Sequence, residues 1–242
     1  MTATPTRQAP VTDAVPIPPL GEFVGRRFAA PSPPLSWAVF ERIGGALAWG
    51  LARFRTPPAV PTLLGGAVGI AGAVALGAAS DTGGQIAAGV LLLLSYALDC
   101  TDGQLARATH RTSARGAWMD VATDATVIGF VTAALSAALL AHGHGPMAAM
   151  LVAGAYGAAR TVSLFTSTLV RSSDGGIRLT GLRSVLRSGY VALIDTPVGY
   201  LALCAARPSP SVLVAVVVIL TVLTAGQALV SARHHFRALQ TQ

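Results

Sequence analysis

Ten acidic residues occur in the chain, and four of them fall between positions 99 and 124: Asp99, Asp102, Asp120 and Asp124. The stretch reads LDCTDGQLARATHRTSARGAWMDVATD. The first two acids are three apart and the last two are four apart, so on helices each pair shares a face. A short Arg-bearing stretch separates the pairs, which allows two antiparallel helices to bring all four carboxylates together. Their flanks are apolar, and a carboxylate at membrane depth is costly unless it is compensated. Clustered without cations, such groups repel and take up protons. Divalent cations remove the conflict, and hard oxygen ligands favour Mg2+ or Mn2+ over Zn2+. Two such ions about 3.5–4 Å apart would form a clamp for phosphoryl chemistry. Gly103 and Gly116 let a group approach the backbone closely, as a nucleotide would. Arg107, four residues after Gly103, can pair with a diphosphate.

The elements that carry these residues follow from composition. Of 242 residues, 52% are apolar and 11% charged, against ~25% charged in a typical soluble domain. A soluble or largely disordered chain is excluded. The net charge of +7 comes from seventeen basic residues, all of them Arg. They form no dense stripe of the kind that tracks nucleic acid. Cys100 and Cys204 lie in apolar stretches and read as small buried hydrophobes, not a disulfide framework.

A hydrocarbon core of ~30 Å needs about 20 apolar helical residues. Six segments qualify: 59–79, 85–107, 117–141, 147–170, 184–205 and 211–231. Fifteen Arg fall in connections on one side, Arg207 alone falls on the other, and Arg160 lies inside the fourth segment. The positive-inside bias predicts both termini, and the acids, on the cytoplasmic side of the cell membrane. Residues 1–34 are Pro-rich and are expected to be disordered. Over 35–56, Trp37, Phe40, Ile43, Leu47 and Leu51 recur at helical steps, with Glu41, Arg42 and Arg53 between them. This predicts an amphipathic helix lying in the cytoplasmic interface. The expected fold is thus an all-α integral membrane protein. A juxtamembrane helix precedes six transmembrane helices over 57–233, and a cytoplasmic tail follows over 234–242.

The spacing D-x-x-D-G-x-x-A-R, eight residues, then G-x-x-x-D-x-x-x-D resembles the signature of the CDP-alcohol phosphatidyltransferase family. Here Asp99, Asp102, Gly103, Ala106, Arg107, Gly116, Asp120 and Asp124 fill every position. The likeness implies an enzyme of phospholipid synthesis. It would transfer a phosphatidyl group from a CDP-linked lipid such as CDP-diacylglycerol to an alcohol, with release of CMP. It further implies two divalent ions, Mg2+ or Mn2+, held by Asp99, Asp102 and Asp120. Asp124 would complete that site and act as general base on the alcohol. Gly103, Ala106, Arg107 and Gly116 would line the CDP site, Ser113 matches a position that often contacts the nucleotide, and family members are typically homodimers.

Two positions depart from the family pattern. Pro58 stands where the T-P-N-x-x-T element before the first span often has Asn, leaving Thr62 to serve at that edge. In the fourth span, Tyr156 and Arg160 match the Y-x-K-A-R-x-E of inositol-phosphate-using members, without its Lys and Glu.

Arg160 lies near mid-span, where charge is costly, and is expected to face the acceptor pocket or another carboxylate. Arg178, Arg183 and Arg187 border the same side as the acids. They fit an anionic acceptor such as glycerol 3-phosphate or an inositol phosphate, and equally fit ordinary inside positive charge. His142 and His144 belong to the opposite side and read as loop residues. A cation or proton transporter is the rival reading, but it predicts acids near mid-membrane with access from both sides. A non-catalytic scaffold leaves the four acids unexplained.

Overall fold

A computed structural model describes residues 17–25, 36–171 and 195–240. Arg178, Arg183, Arg187 and residues 184–194 of the expected fifth span lie outside these residues, as does most of the segment 1–34. Every regular element among the described residues is helical. They are α1 (Leu20–Gly25), α2 (Glu41–Arg53), α3 (Ala59–Ala78), α4 (Thr82–Ala108), α5 (Ala114–Ala141), α6 (Pro146–Arg171), α7 (Thr196–Ala206) and α8 (Pro210–Gln240). A π-helical turn, Ser36–Phe40, leads into α2. Five segments are long and apolar enough to cross a membrane: α3, α4, α5, Pro146–Thr166 of α6 and Pro210–Val230 of α8. The protein is a multi-pass membrane protein.

Small residues set the packing, as expected where no hydrophobic force separates helix from lipid. Along α3, Gly65, Gly69 and Gly72 face α4. A Cβ on Gly69 would lie 2.5 Å from Ser95 Oγ, so only glycine lets the axes come this close. Ser95 Oγ donates to the Gly65 carbonyl at 2.8 Å, tying α4 to α3 within the buried interface. The other face of α3 packs on α5, α5 packs on α6, and α6 on α8. Leu76, Leu92, Val131, Leu135, Leu203 and Val217 fill the space between them.

Three helices end in the same way. After α2, α4 and α5 the second residue beyond the helix is left-handed: Arg55 at φ 54°, His110 at φ 53° and Gly143 at φ 83°. In each case the next amide reaches back five residues, as in Arg111 N to the Ala106 carbonyl at 2.8 Å. This arrangement satisfies the otherwise orphaned carbonyls of the last turn. It also turns the chain sharply enough for a short link between antiparallel helices. Side chains cap the starts of α4 and α5: Asp81 accepts from Gly84 N at 2.7 Å and Ser113 from Gly116 N at 3.0 Å.

Two expectations are corrected. No single helix covers 184–205, because α7 begins only at Thr196. Asp195 is extended there, with ψ 132°, and Pro197 occupies the first turn, where its missing N–H costs nothing. Within 1–34, Leu20–Gly25 is helical rather than disordered, because Phe23 is buried against Ala48, Ala52 and Leu105. Beyond the sixth span the helix runs through the expected tail to Gln240. The helix expected over 35–56 is present as the π-turn and α2, but it packs one face firmly on α4. A Cβ on Gly44 would meet Cys100 Cβ at 2.9 Å, and Gln104 Nε2 donates to the Glu41 carbonyl at 2.8 Å. Ile43 and Leu47 point outward and are exposed.

Candidate active site

The last turns of α4 and the first turns of α5 both border α3, and their acids converge at one end of the bundle. Asp99, Asp102 and Asp120 each offer a carboxylate oxygen, and all three oxygens lie within 4.8 Å of one another. Asp102 is 6% exposed, and the other two are half-buried. Asp124 stands one turn deeper along α5, outside this group of three. It interacts electrostatically with both Asp99 and Asp102. Three close oxygen donors suit a hard divalent ion.

Thr62 of α3 is 6% exposed, and its hydroxyl donates to Asp102 Oδ2. The same proton can reach the Pro58 carbonyl at 3.1 Å. The position expected to touch a nucleotide thus also orients a carboxylate from the neighbouring helix.

A cavity of about 530 Å³ opens beside the acids. Asp102 and Asp120 line it, together with Arg107, Arg111 and Arg115 and with Pro58 and Thr62. Gly103, Ala106, Ser113 and Gly116 also line it. Every residue expected at a CDP site therefore borders one cavity. Gly103 has a specific part in it. A Cβ there would lie 3.1 Å from both terminal nitrogens of Arg107, so glycine lets the guanidinium fold against the α4 backbone. Arg111 Nη1 reaches the Arg55 carbonyl at 3.3 Å and joins the α4–α5 loop to the end of α2.

Arg160 is not among the residues that line this cavity. Its Nη2 donates to Thr196 Oγ1 at 2.7 Å, and it interacts electrostatically with Asp195. Tyr200 lies in the field of Arg160, Asp124 and Asp99, which places it between this cluster and the acids electrostatically. Arg178 and Arg183 lie outside the described residues.

Sequence reasoning missed Asp195, Ser36 and Tyr96. Asp195, 3% exposed, accepts from Ser36 N at 3.0 Å and Ser36 Oγ at 2.5 Å. Ser36 Oγ also bonds the Tyr96 hydroxyl at 2.6 Å. The start of the π-turn is thereby pinned to α4 and α7. The triplet Asp195-Thr196-Pro197 carried a usable signal, an acid and a proline at a helix start.

A sequence model of CDP-alcohol phosphatidyltransferases matches residues 56–232. No curated protein matches the chain.

Proposed function

The chain belongs to the CDP-alcohol phosphatidyltransferase family, whose members are phosphotransferases acting on a CDP-alcohol and an alcohol acceptor, and we propose that its donor is a CDP-linked lipid of the CDP-diacylglycerol kind. One observation carries this reading. The cavity is lined by both carboxylates and Arg side chains at one end of an apolar bundle. A nucleoside diphosphate bearing lipid chains has that polarity.

Asp99, Asp102 and Asp120 would hold divalent cations, two Mg2+ or Mn2+ in this reading. When bound, the ions neutralise the charge that develops on departing CMP. The chain's own residues do the rest. Arg107 grips the diphosphate, and Gly103 gives it room to do so. Thr62 fixes the rotamer of Asp102 by its hydrogen bond. Ala106, Ser113 and Gly116 give the nucleotide a close-fitting wall. Asp124 accepts the proton of the alcohol as its oxygen bonds to the lipid-side phosphorus and the bond to CMP breaks. A carboxylate so placed is worth about 10²–10⁴-fold.

Arg160 and the basic residues Arg178 and Arg183 are assigned to an anionic acceptor, glycerol 3-phosphate or an inositol phosphate. A sixth crossing would include α7, and α2 lies in the cytoplasmic interface with Ile43 and Leu47 toward lipid. Both termini and the site face the cytoplasm, supported by fifteen Arg on that side. The chain acts as a homodimer, as its relatives typically do.

The test is CMP release by purified protein given CDP-diacylglycerol, Mg2+ or Mn2+, and a panel of alcohols. Release that depends on both metal and one class of alcohol is expected. Metal-dependent release unaffected by every alcohol would refute the transferase assignment for this donor.

A further inference from the structure

At the end of the bundle opposite the carboxylates lie three basic side chains, two of them in contact. Arg207, in the turn between α7 and α8, is 7% exposed. No carboxylate among the described residues pairs with it. His142 and His144 flank Gly143 in the turn after α5. His142 Nε2 lies 2.7 Å from the Arg207 carbonyl oxygen and 2.9 Å from Arg207 Nη1. That nitrogen can donate to the carbonyl or accept from the guanidinium, but not both. The guanidinium therefore has at most one acceptor among the described residues for its five N–H bonds. Arg207 Nε and His144 Nε2 are both buried without a partner.

Burying a guanidinium with no counter-charge is strongly unfavourable. The unfilled donors are not scattered. Nε and Nη2 form one edge of the guanidinium, the edge that His142 does not occupy. That edge is the fork that holds two oxygens of a phosphate or carboxylate. His144 offers a third nitrogen from the same turn. The apolar surface of α6 begins just beyond, with Met147 71% exposed and Met150 and Leu151 also exposed. The cluster thus sits where apolar helix surface gives way to loops, the level of lipid headgroups.

We propose that Arg207, His142 and His144 form a phosphate-oxyanion site at this end of the bundle, filled by a lipid headgroup or by free phosphate. Its occupant would bridge the α5–α6 and α7–α8 turns and so clamp two helix pairs together. The proposal does not depend on the catalytic reading, since the site uses none of the same residues.

Thermal unfolding of the full chain in a neutral maltoside detergent tests it, at constant ionic strength. One arm titrates sodium phosphate against sodium chloride. The other titrates phosphatidylglycerol against diacylglycerol, which lacks the phosphate. Wild type, Arg207→Gln and His144→Ala are compared, so that phosphate binding near Arg107 is common to all three. The wild-type midpoint should rise saturably. The half-effect concentration should be at least about tenfold higher in Arg207→Gln, as expected for loss of charge-assisted bonds, and raised in His144→Ala. A response to phosphate alone identifies a solution anion, and a response to phosphatidylglycerol alone a headgroup; either supports the site. If Arg207→Gln does not fold, His144→Ala carries the comparison. The proposal is overturned if wild type responds to neither ligand, or if the folded variants respond as wild type does.

Discussion

Replacing Thr62 with Val should weaken metal dependence without removing a metal ligand. Valine keeps the branched shape of threonine, so the buried space between α3 and α4 stays filled. What is lost is the hydroxyl proton that Asp102 Oδ2 accepts. The Pro58 carbonyl, at 3.1 Å, is the weaker of the two acceptors in reach, so the lost bond is chiefly the one to Asp102. Asp102 is 6% exposed, and water does not readily replace the donor. A hydrogen bond to a charged group is worth about 1.5–3 kcal/mol. At 1.4 kcal/mol per decade this is roughly 10–100-fold, the size seen when groups that orient metal ligands are removed. The assay is half-saturation by Mn2+, read by CMP release and independently by paramagnetic resonance of bound Mn2+. Thr62→Ser keeps the donor and should stay near wild type. The reasoning fails if Thr62→Val folds and binds Mn2+ within twofold of wild type, or if Thr62→Ser is as impaired as Thr62→Val.

Other substitutions probe the remaining parts of the site. Asp124→Asn should lower turnover by at least about 10²-fold while CDP-lipid binding persists, whereas Asp102→Asn should lose metal and donor binding together; equilibrium donor binding separates them. Gly103→Ala should leave the fold intact, because the new Cβ meets only the flexible end of Arg107, yet raise the apparent constant for the donor about tenfold, with that for the alcohol unchanged. Arg160→Ala should act the opposite way, raising the apparent constant for the alcohol more than for the donor in kinetics with each varied in turn. Ser36→Ala strips the hydroxyl donor from buried Asp195 and leaves the backbone one; it should cost roughly 1.5–3 kcal/mol in detergent unfolding, with the metal constant unmoved.

The sequence alone determined whatever depends on local spacing. Apolar length marked the spans, and the structure has helices over five of the six segments, with ends shifted by a few residues at most except where α8 runs on to Gln240. The 3.6-residue period put Asp99 with Asp102, and Asp120 with Asp124, on single helix faces. Both are properties of a few consecutive turns, and no other part of the chain is needed to read them. The start of α7 was equally local, written in Asp195-Thr196-Pro197, but averaging hydropathy over twenty residues hides a helix boundary among apolar neighbours. The tertiary structure decided what depends on how helices meet. Asp99, Asp102 and Asp120 draw within 4.8 Å of one another while Asp124 stands apart. That follows from the register of α5 against α4, which the glycines of α3 and the Ser95 bond to Gly65 hold. Thr62 finds Asp102 from 40 positions away, Arg207 finds His142 from 65, and Ser36 finds Asp195 from 159. A hydroxyl, a guanidinium and a carboxylate carry no mark of such partners in the sequence, because each contact exists only once close packing has fixed the distance between helix axes to a fraction of an ångström.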